Sequence, residues 1–253
     1  MRRISIYKYY GFGYNYGLLL RDGLQGFIKT EAIDLLTRFF GNLQELELQV
    51  TSVVAEDLRE CLEEIEGGEE ELVGQKLSKR VREATEKLDA TLDAELKLRK
   101  AYLLTKKRYP LDTLLKTPEE LLGKGVWATL TATAKRDFQL ATTQVALSQA
   151  TASAFHLMRC LEEQVKVLYF AFKKTKRLAK PMWGPVTAQL KTKRAPKPSE
   201  KLLNHLDGMR IHFRNPTQHP DVFYSLDESQ DLLNQTITAI NMIAAELPKP
   251  TAV

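Results

Sequence analysis

The sequence predicts an all-α protein in two parts, and three observations carry that expectation. Apolar residues recur at steps of three and four along most of the chain, the period of one buried helix face. No stretch after residue 20 alternates apolar and polar residues over the length of a strand. Glycine and proline separate the periodic stretches, at Gly67-Gly68, Pro110, Pro118, the Gly123-Lys124-Gly125 turn and Pro248.

At the start, residues 4–20 hold five of the nine tyrosines, mixed with glycine, and permit either a short hairpin or disorder. From Asn42 onward, Leu43, Leu46, Val50, Val54, Leu58, Cys61 and Ile65 predict one face of a single long helix ended by Gly67-Gly68. Leu77, Val81, Ala84, Leu88, Leu92 and Leu96 predict a second, running to about Leu104. Two long helices joined by a short glycine loop predict an antiparallel hairpin. The acidic run from Glu56 to Glu71 then reads as its solvated face.

The Gly123-Lys124-Gly125 turn is the expected boundary between residues 1–124 and 125–253. No Lys-Ser/Thr follows it in the spacing of a phosphate-binding loop. Beyond it, a helix runs through Leu140 and Leu147, and a break from the next, if there is one, falls near Gln149–Thr151. The next helix carries Ala154, Met158, Leu161, Val165, Leu168 and Phe172 on its apolar stripe. After a basic linker containing Trp183-Gly184-Pro185, a shorter helix aligns Leu202, Leu206, Met209 and Phe213. Ser225 and Glu228 have capping-box spacing and open a last helix that buries Leu233, Ile237, Ile240, Ala244 and Leu247.

Composition narrows the function classes. At 43% hydrophobic over 253 residues the chain can build one large core or two modest ones. No apolar run approaches the ~18–20 residues that cross a bilayer. Residues 1–20 are broken by Lys8, Asn15 and several glycines, so no signal-peptide core is expected there. Cys61 and Cys160 lie too far apart, with too few companions, for a disulfide framework or a zinc cluster. These readings point to a cytoplasmic protein with reduced thiols.

Charge is distributed unevenly. Lys173, Lys174, Lys176, Arg177, Lys180, Lys191, Lys193, Arg194, Lys197 and Lys201 face only Glu200 between residues 173 and 201. That segment carries +9 in a chain whose net is +5, leaving about −4 for the rest. Such a cluster is the footprint expected for a phosphate backbone, and RNA is the partner it suggests; a solvated, proline-rich loop gives the same pattern.

All four histidines, at 156, 205, 212 and 219, lie in the last hundred residues. The turn Phe213-Arg214-Asn215-Pro216-Thr217-Gln218-His219-Pro220 places a permanent cation and a group titrating near neutrality in one connection. Pro216 and Pro220 predict that Arg214 ends a helix and that His219 lies in the turn. Cleavage of RNA by its own 2′-hydroxyl needs a base, an acid for the leaving 5′-oxygen, and a cation for the phosphorane. Histidine suits the proton transfers and arginine the phosphate, with no metal or other cofactor required. A turn histidine bonded only to backbone is the alternative.

The Arg214-Asn215-x-x-x-His219 pattern between two helices resembles the signature of the HEPN superfamily. The likeness extends to Thr151–Glu162, to Trp183-Gly184-Pro185 and to Tyr224–Glu228. It covers roughly residues 125–247. The resemblance implies a four-helix bundle and a metal-independent endoribonuclease, a toxin or phage-defence effector. It makes Arg214 and His219 the catalytic pair and Asn215 a supporting residue. It also implies a homodimer whose two turns form the site, and a neutralising or sensor partner protein. Toxins of this kind often carry a tyrosine two residues past the histidine as the site of modification. Here that position is Asp221, and the nearest tyrosine is Tyr224. A non-catalytic module that binds RNA, nucleotide or a protein is the other reading of the same likeness.

His156, Arg159 and Glu162 repeat every three residues on one helix and are expected either as surface ion pairs or as support for the turn. Lys173, Lys174, Lys176 and Arg177 are the expected RNA contacts. His205 and His212, seven apart, are expected on one helix face, as boundary histidines or with a carboxylate as metal ligands.

Overall fold

A computed structural model describes residues 4–100 and 102–248. The all-α class is the one found. Among the described residues the only strand-like pairing is an isolated bridge between Ile28 and Leu72. The chain divides into two compact units, Met1–Tyr102 and Leu103–Val253.

In the first unit the tyrosine- and glycine-rich segment forms helix α1, Ile6–Asp22, capped by the Ser5 hydroxyl. Glycine disfavours helix, but packing overrides it. Phe12 and Leu19 are buried, Phe12 stacks on Phe39 at 5.2 Å, and the Tyr16 hydroxyl donates to Asp89 at 2.8 Å. Gly23 ends the helix in the left-handed region, where a Cβ would strike the Ser78 carbonyl.

The single helix expected from Asn42 to Gly67 is instead three: α2 (Lys29–Glu45), α3 (Gln49–Val54) and α4 (Glu56–Gly67). A Schellman turn makes the first break. Glu47 takes φ 55°, its N–H bonds the Gln44 carbonyl, and the Leu48 N–H reaches back to Leu43. Turning here buries both Leu46 and Leu48. Helix α5, Gln75–Leu98, stops short of Leu104 and packs against α1, α3 and α4, so a cluster of helices stands where a hairpin of two long ones was expected. Glu95 of α5 accepts from the Val50 and Thr51 N–H groups at the start of α3.

The second unit begins before the expected boundary. Leu114 of α6 (Leu111–Lys116) and Leu122, just past a 3₁₀ turn at Pro118–Leu121, lie in its core. The Gly123 N–H bonds Asn241, and the Arg108 N–H bonds Gln230. Residues 103–124 therefore belong to the second unit. A short α7 (Val126–Thr129) leads to α8 (Ala132–Ala146) and α9 (Ala150–Phe172). The α8–α9 break repeats the Schellman device, with Ser148 at φ 60°. Within the basic segment, where the sequence predicts a linker, α10 (Trp183–Thr192) seats Trp183 in the core.

Next come α11 (Glu200–Met209), a π turn (Arg210–Arg214), the single turn α12 (Asn215–Thr217) and α13 (Leu226–Glu246). The Ser225–Glu228 capping box is formed in both directions. Helix α9 is central and packs against α8, α10, α13 and the π turn.

Candidate active site

Proline decides the local path of the signature turn. In an α-helix Pro216 would offer no N–H and its ring would meet the carbonyl of His212, four residues back. The chain widens by one residue instead. The Asn215 N–H bonds the Arg210 carbonyl five residues earlier, and Asn215 keeps helical angles (φ −66°, ψ −50°) although it precedes a proline. Arg214 therefore does not end the helix as expected; the helical path continues through Thr217.

The turn is then tied down by its own side chains. The Thr217 hydroxyl bonds the Phe213 carbonyl at 2.6 Å and the Tyr224 hydroxyl at 2.8 Å, and the Tyr224 N–H donates to Thr151 at the start of α9. Gln218, His219, Pro220 and Asp221 remain exposed between these anchors. The His219 N–H bonds the Pro216 carbonyl at 2.8 Å, and its imidazole has no hydrogen-bonding or ionic partner among the described residues.

Arg214 points back onto α9. Its Nε donates to Glu162 Oε2 at 3.2 Å, with both side chains less than a third exposed. Glu162 therefore faces the turn and forms an ion pair with it. His156 and Arg159 turn to a different partner, Asp137 of α8. The His156 Nδ1 lies 2.8 Å from one oxygen of Asp137, and Arg159 Nε donates to the other at 3.2 Å. Only 4% of the Asp137 side chain is exposed. Sequence reasoning misses Asp137, although its signal is there: a lone acid between Ala134, Phe138 and Ala141 on the apolar face of α8.

A third cluster secures the π turn. Asp207 accepts from Lys191 of α10 at 2.8 Å and from Arg210 at 3.0 Å. Those two cations, Lys191 first, hold its carboxyl below the usual range against the opposing effect of burial. His205 is half-buried with its Nε2 enclosed and unpartnered, while His212 is exposed within the π turn. Among the described residues no cluster of three or more metal-ligating side chains occurs. Burial pushes the Cys160 thiol up, so it is a core side chain and a poor nucleophile.

The basic segment is partly neutralised. Lys191 serves Asp207, Lys197 lies 3.6 Å from Glu200, and Lys193 bonds backbone carbonyls. Lys174, Lys176 and Lys180 are exposed and meet no acid among the described residues. Arg177 donates to the Lys173 carbonyl at 2.7 Å and lies over the Phe170 ring at 5.1 Å. Lys173 caps α9, so helix rise sets Glu162 about 16 Å from it along the axis. No helix of the described residues is long and apolar enough to cross a membrane. In comparisons with known proteins, no family model, no curated protein and no solved structure matches this chain.

Proposed function

We propose that the chain is a metal-independent endoribonuclease of HEPN type, acting as a toxin or phage-defence effector. The observation that carries the reading is the Arg214–Glu162 contact, which orients a guanidinium beside a turn whose His219 imidazole is exposed and unengaged. In this account His219 takes the proton of a ribose 2′-hydroxyl as that oxygen bonds to phosphorus. Arg214 neutralises the phosphorane, and Asn215 adds a polar contact. The bond from phosphorus to the 5′-oxygen then breaks as that oxygen receives a proton. The products are a 2′,3′-cyclic phosphate and a 5′-hydroxyl.

His219 of the partner subunit in a homodimer supplies that last proton. Exposed Gln218–Asp221 and Phe223, which is 80% exposed, are available for a second copy to cover. Tyr224 is an unsuitable modification site because its hydroxyl is bonded within the fold, so a neutralising partner would act by covering the turn. The rival reading, a non-catalytic module that binds RNA or protein, is favoured by the same Glu162, whose charge offsets Arg214. Purified protein incubated with total RNA in EDTA, beside a His219→Ala control, separates the two: cleavage by the wild type alone supports the enzyme, and inert wild type supports the module.

A further inference from the structure

Helix α9 has one stripe that the core does not use. Phe155, Arg159, Glu162, Lys166, Phe170 and Lys173 succeed each other at steps of four, three, four, four and three, which keeps them within one narrow sector of the helix. None of the six is buried, whereas the opposite side supplies Leu157, Leu161, Val165 and Leu168 to the core. Two phenylalanines, each 39% exposed, stand at the ends of this stripe, about 22 Å apart by helix rise.

Both rings are braced in the same way. Phe155 has the Arg159 guanidinium 6.0 Å from its centroid and the His156 ring edge-on at 6.3 Å. Phe170 has Arg177 at 5.1 Å and Tyr169 tilted against it at 5.5 Å. The bracing groups are themselves held, Arg159 by Asp137 and Arg177 by the Lys173 carbonyl. Each ring thus has a cation and a second ring set against it while part of it stays open to solvent. Between them lies the Arg214–Glu162 contact, and beyond the second come Lys174, Lys176 and Lys180.

We propose that this stripe is a track for single-stranded RNA, with unpaired bases stacking on Phe155 and Phe170 and the backbone running past Arg214 toward the 173–180 loop. The chemistry fits a single strand: any base offers a π-face to a braced aromatic ring, and Lys174, Lys176 and Lys180, which meet no acid among the described residues, complement phosphates beyond the second ring. A duplex keeps its bases stacked on each other and gains nothing from the rings. The inference deepens the ribonuclease reading by naming its substrate as unpaired RNA threaded across the Arg214 turn, and it adds Phe155 and Phe170 to the expected lysine contacts.

Binding tests it independently of cleavage. Fluorescence anisotropy with a 2′-O-methyl oligonucleotide of roughly 12 residues, which lacks the attacking hydroxyl, reads affinity in the intact protein. The expected results are tighter binding of the single strand than of the same sequence as a duplex, and a loss of roughly tenfold for each of Phe155→Leu and Phe170→Leu. Phe155→Tyr and Phe170→Tyr should retain affinity, because they keep the ring. The salt slope should be unchanged in the phenylalanine variants and smaller in Arg177→Ala, which removes a charge. Equal affinity of the leucine variants and wild type, or a preference for duplex, would overturn the track, and a protein partner would then be the candidate for the stripe. Intact binding with no cleavage of natural RNA would sink the ribonuclease reading while leaving the track in place.

Discussion

Arg214 and Glu162, 52 residues apart in the chain, meet through one hydrogen bond of 3.2 Å between the π turn and the middle of α9. The contact joins the candidate catalytic cation to the helix that organises the second unit.

Replacing Glu162 by Ala should therefore affect both chemistry and stability. Arg214 loses the acceptor that aims it, and a half-buried guanidinium is left without a partner. We expect cleavage to fall by roughly tenfold or more and stability by about 1 kcal/mol, a modest figure because both side chains retain some solvent. Glu162→Gln, which keeps an acceptor oxygen, should lose less of each. Steady-state rates and urea unfolding of the three proteins check this.

Pro216→Ala should separate the two quantities. It restores a backbone N–H and removes the clash behind the π turn, so the helix gains stability. Relaxing to α geometry shifts Arg214 by up to about 100° around the axis, away from Glu162. The expected outcome is an unchanged or higher Tm with lower activity. A variant that loses both would show that the π turn is not set by the proline.

Much of this arrangement is legible in the sequence, and the losses have identifiable causes. Long periodic stretches locate α5, α9 and α13, and the Ser225–Glu228 spacing marks a helix start that forms as expected. The Schellman turn at Glu47 is not readable, because the apolar period of Leu43, Leu46 and Val50 runs through it without interruption. The α1 tyrosines stay ambiguous because their helix is secured by tertiary contacts such as Phe12 on Phe39. The Gly123–Gly125 turn places the boundary too late because it is the stronger local signal, while the contacts binding residues 103–124 to α13 are distant in sequence. In the site, the helical repeat of His156, Arg159 and Glu162 is readable; that two of them serve Asp137 is not, since partner choice depends on how α8 lies against α9.

Neutralising Lys173, Lys174, Lys176 and Arg177 together should weaken RNA binding and lower its salt dependence, because each phosphate contact releases counterions. Thermal stability should change little, since none of the four is in an ion pair among the described residues and only Arg177, bonded to the Lys173 carbonyl and set over Phe170, has contacts to lose. Binding measured across a salt series decides whether the loop contacts RNA or only keeps the protein in solution.

Asp207 gives the second unit an acid-sensitive clasp. Lys191 and Arg210 hold its pKa below that of the unfolded chain. Its stabilisation is thus fully present above the unfolded carboxylate pKa of about 3.9 and is lost as pH falls through the lower folded value. Asp207→Asn should be destabilised by about 1 kcal/mol at neutral pH, and the gap to wild type should close in strong acid. Tm measured for both proteins down the pH scale tests the sign.

The most direct test of the central claim is the chemistry of the cut ends. A short single-stranded RNA should be cleaved in EDTA to fragments bearing 2′,3′-cyclic phosphate and 5′-hydroxyl termini. His219→Ala and Arg214→Ala should each cut the rate by ~10²–10³ or more while keeping the helical circular dichroism of wild type. Arg214→Lys should recover little, because an ammonium lacks the planar fork. Fragments with 5′-phosphates that require a divalent metal, or no cleavage by wild type under any condition, would contradict the account.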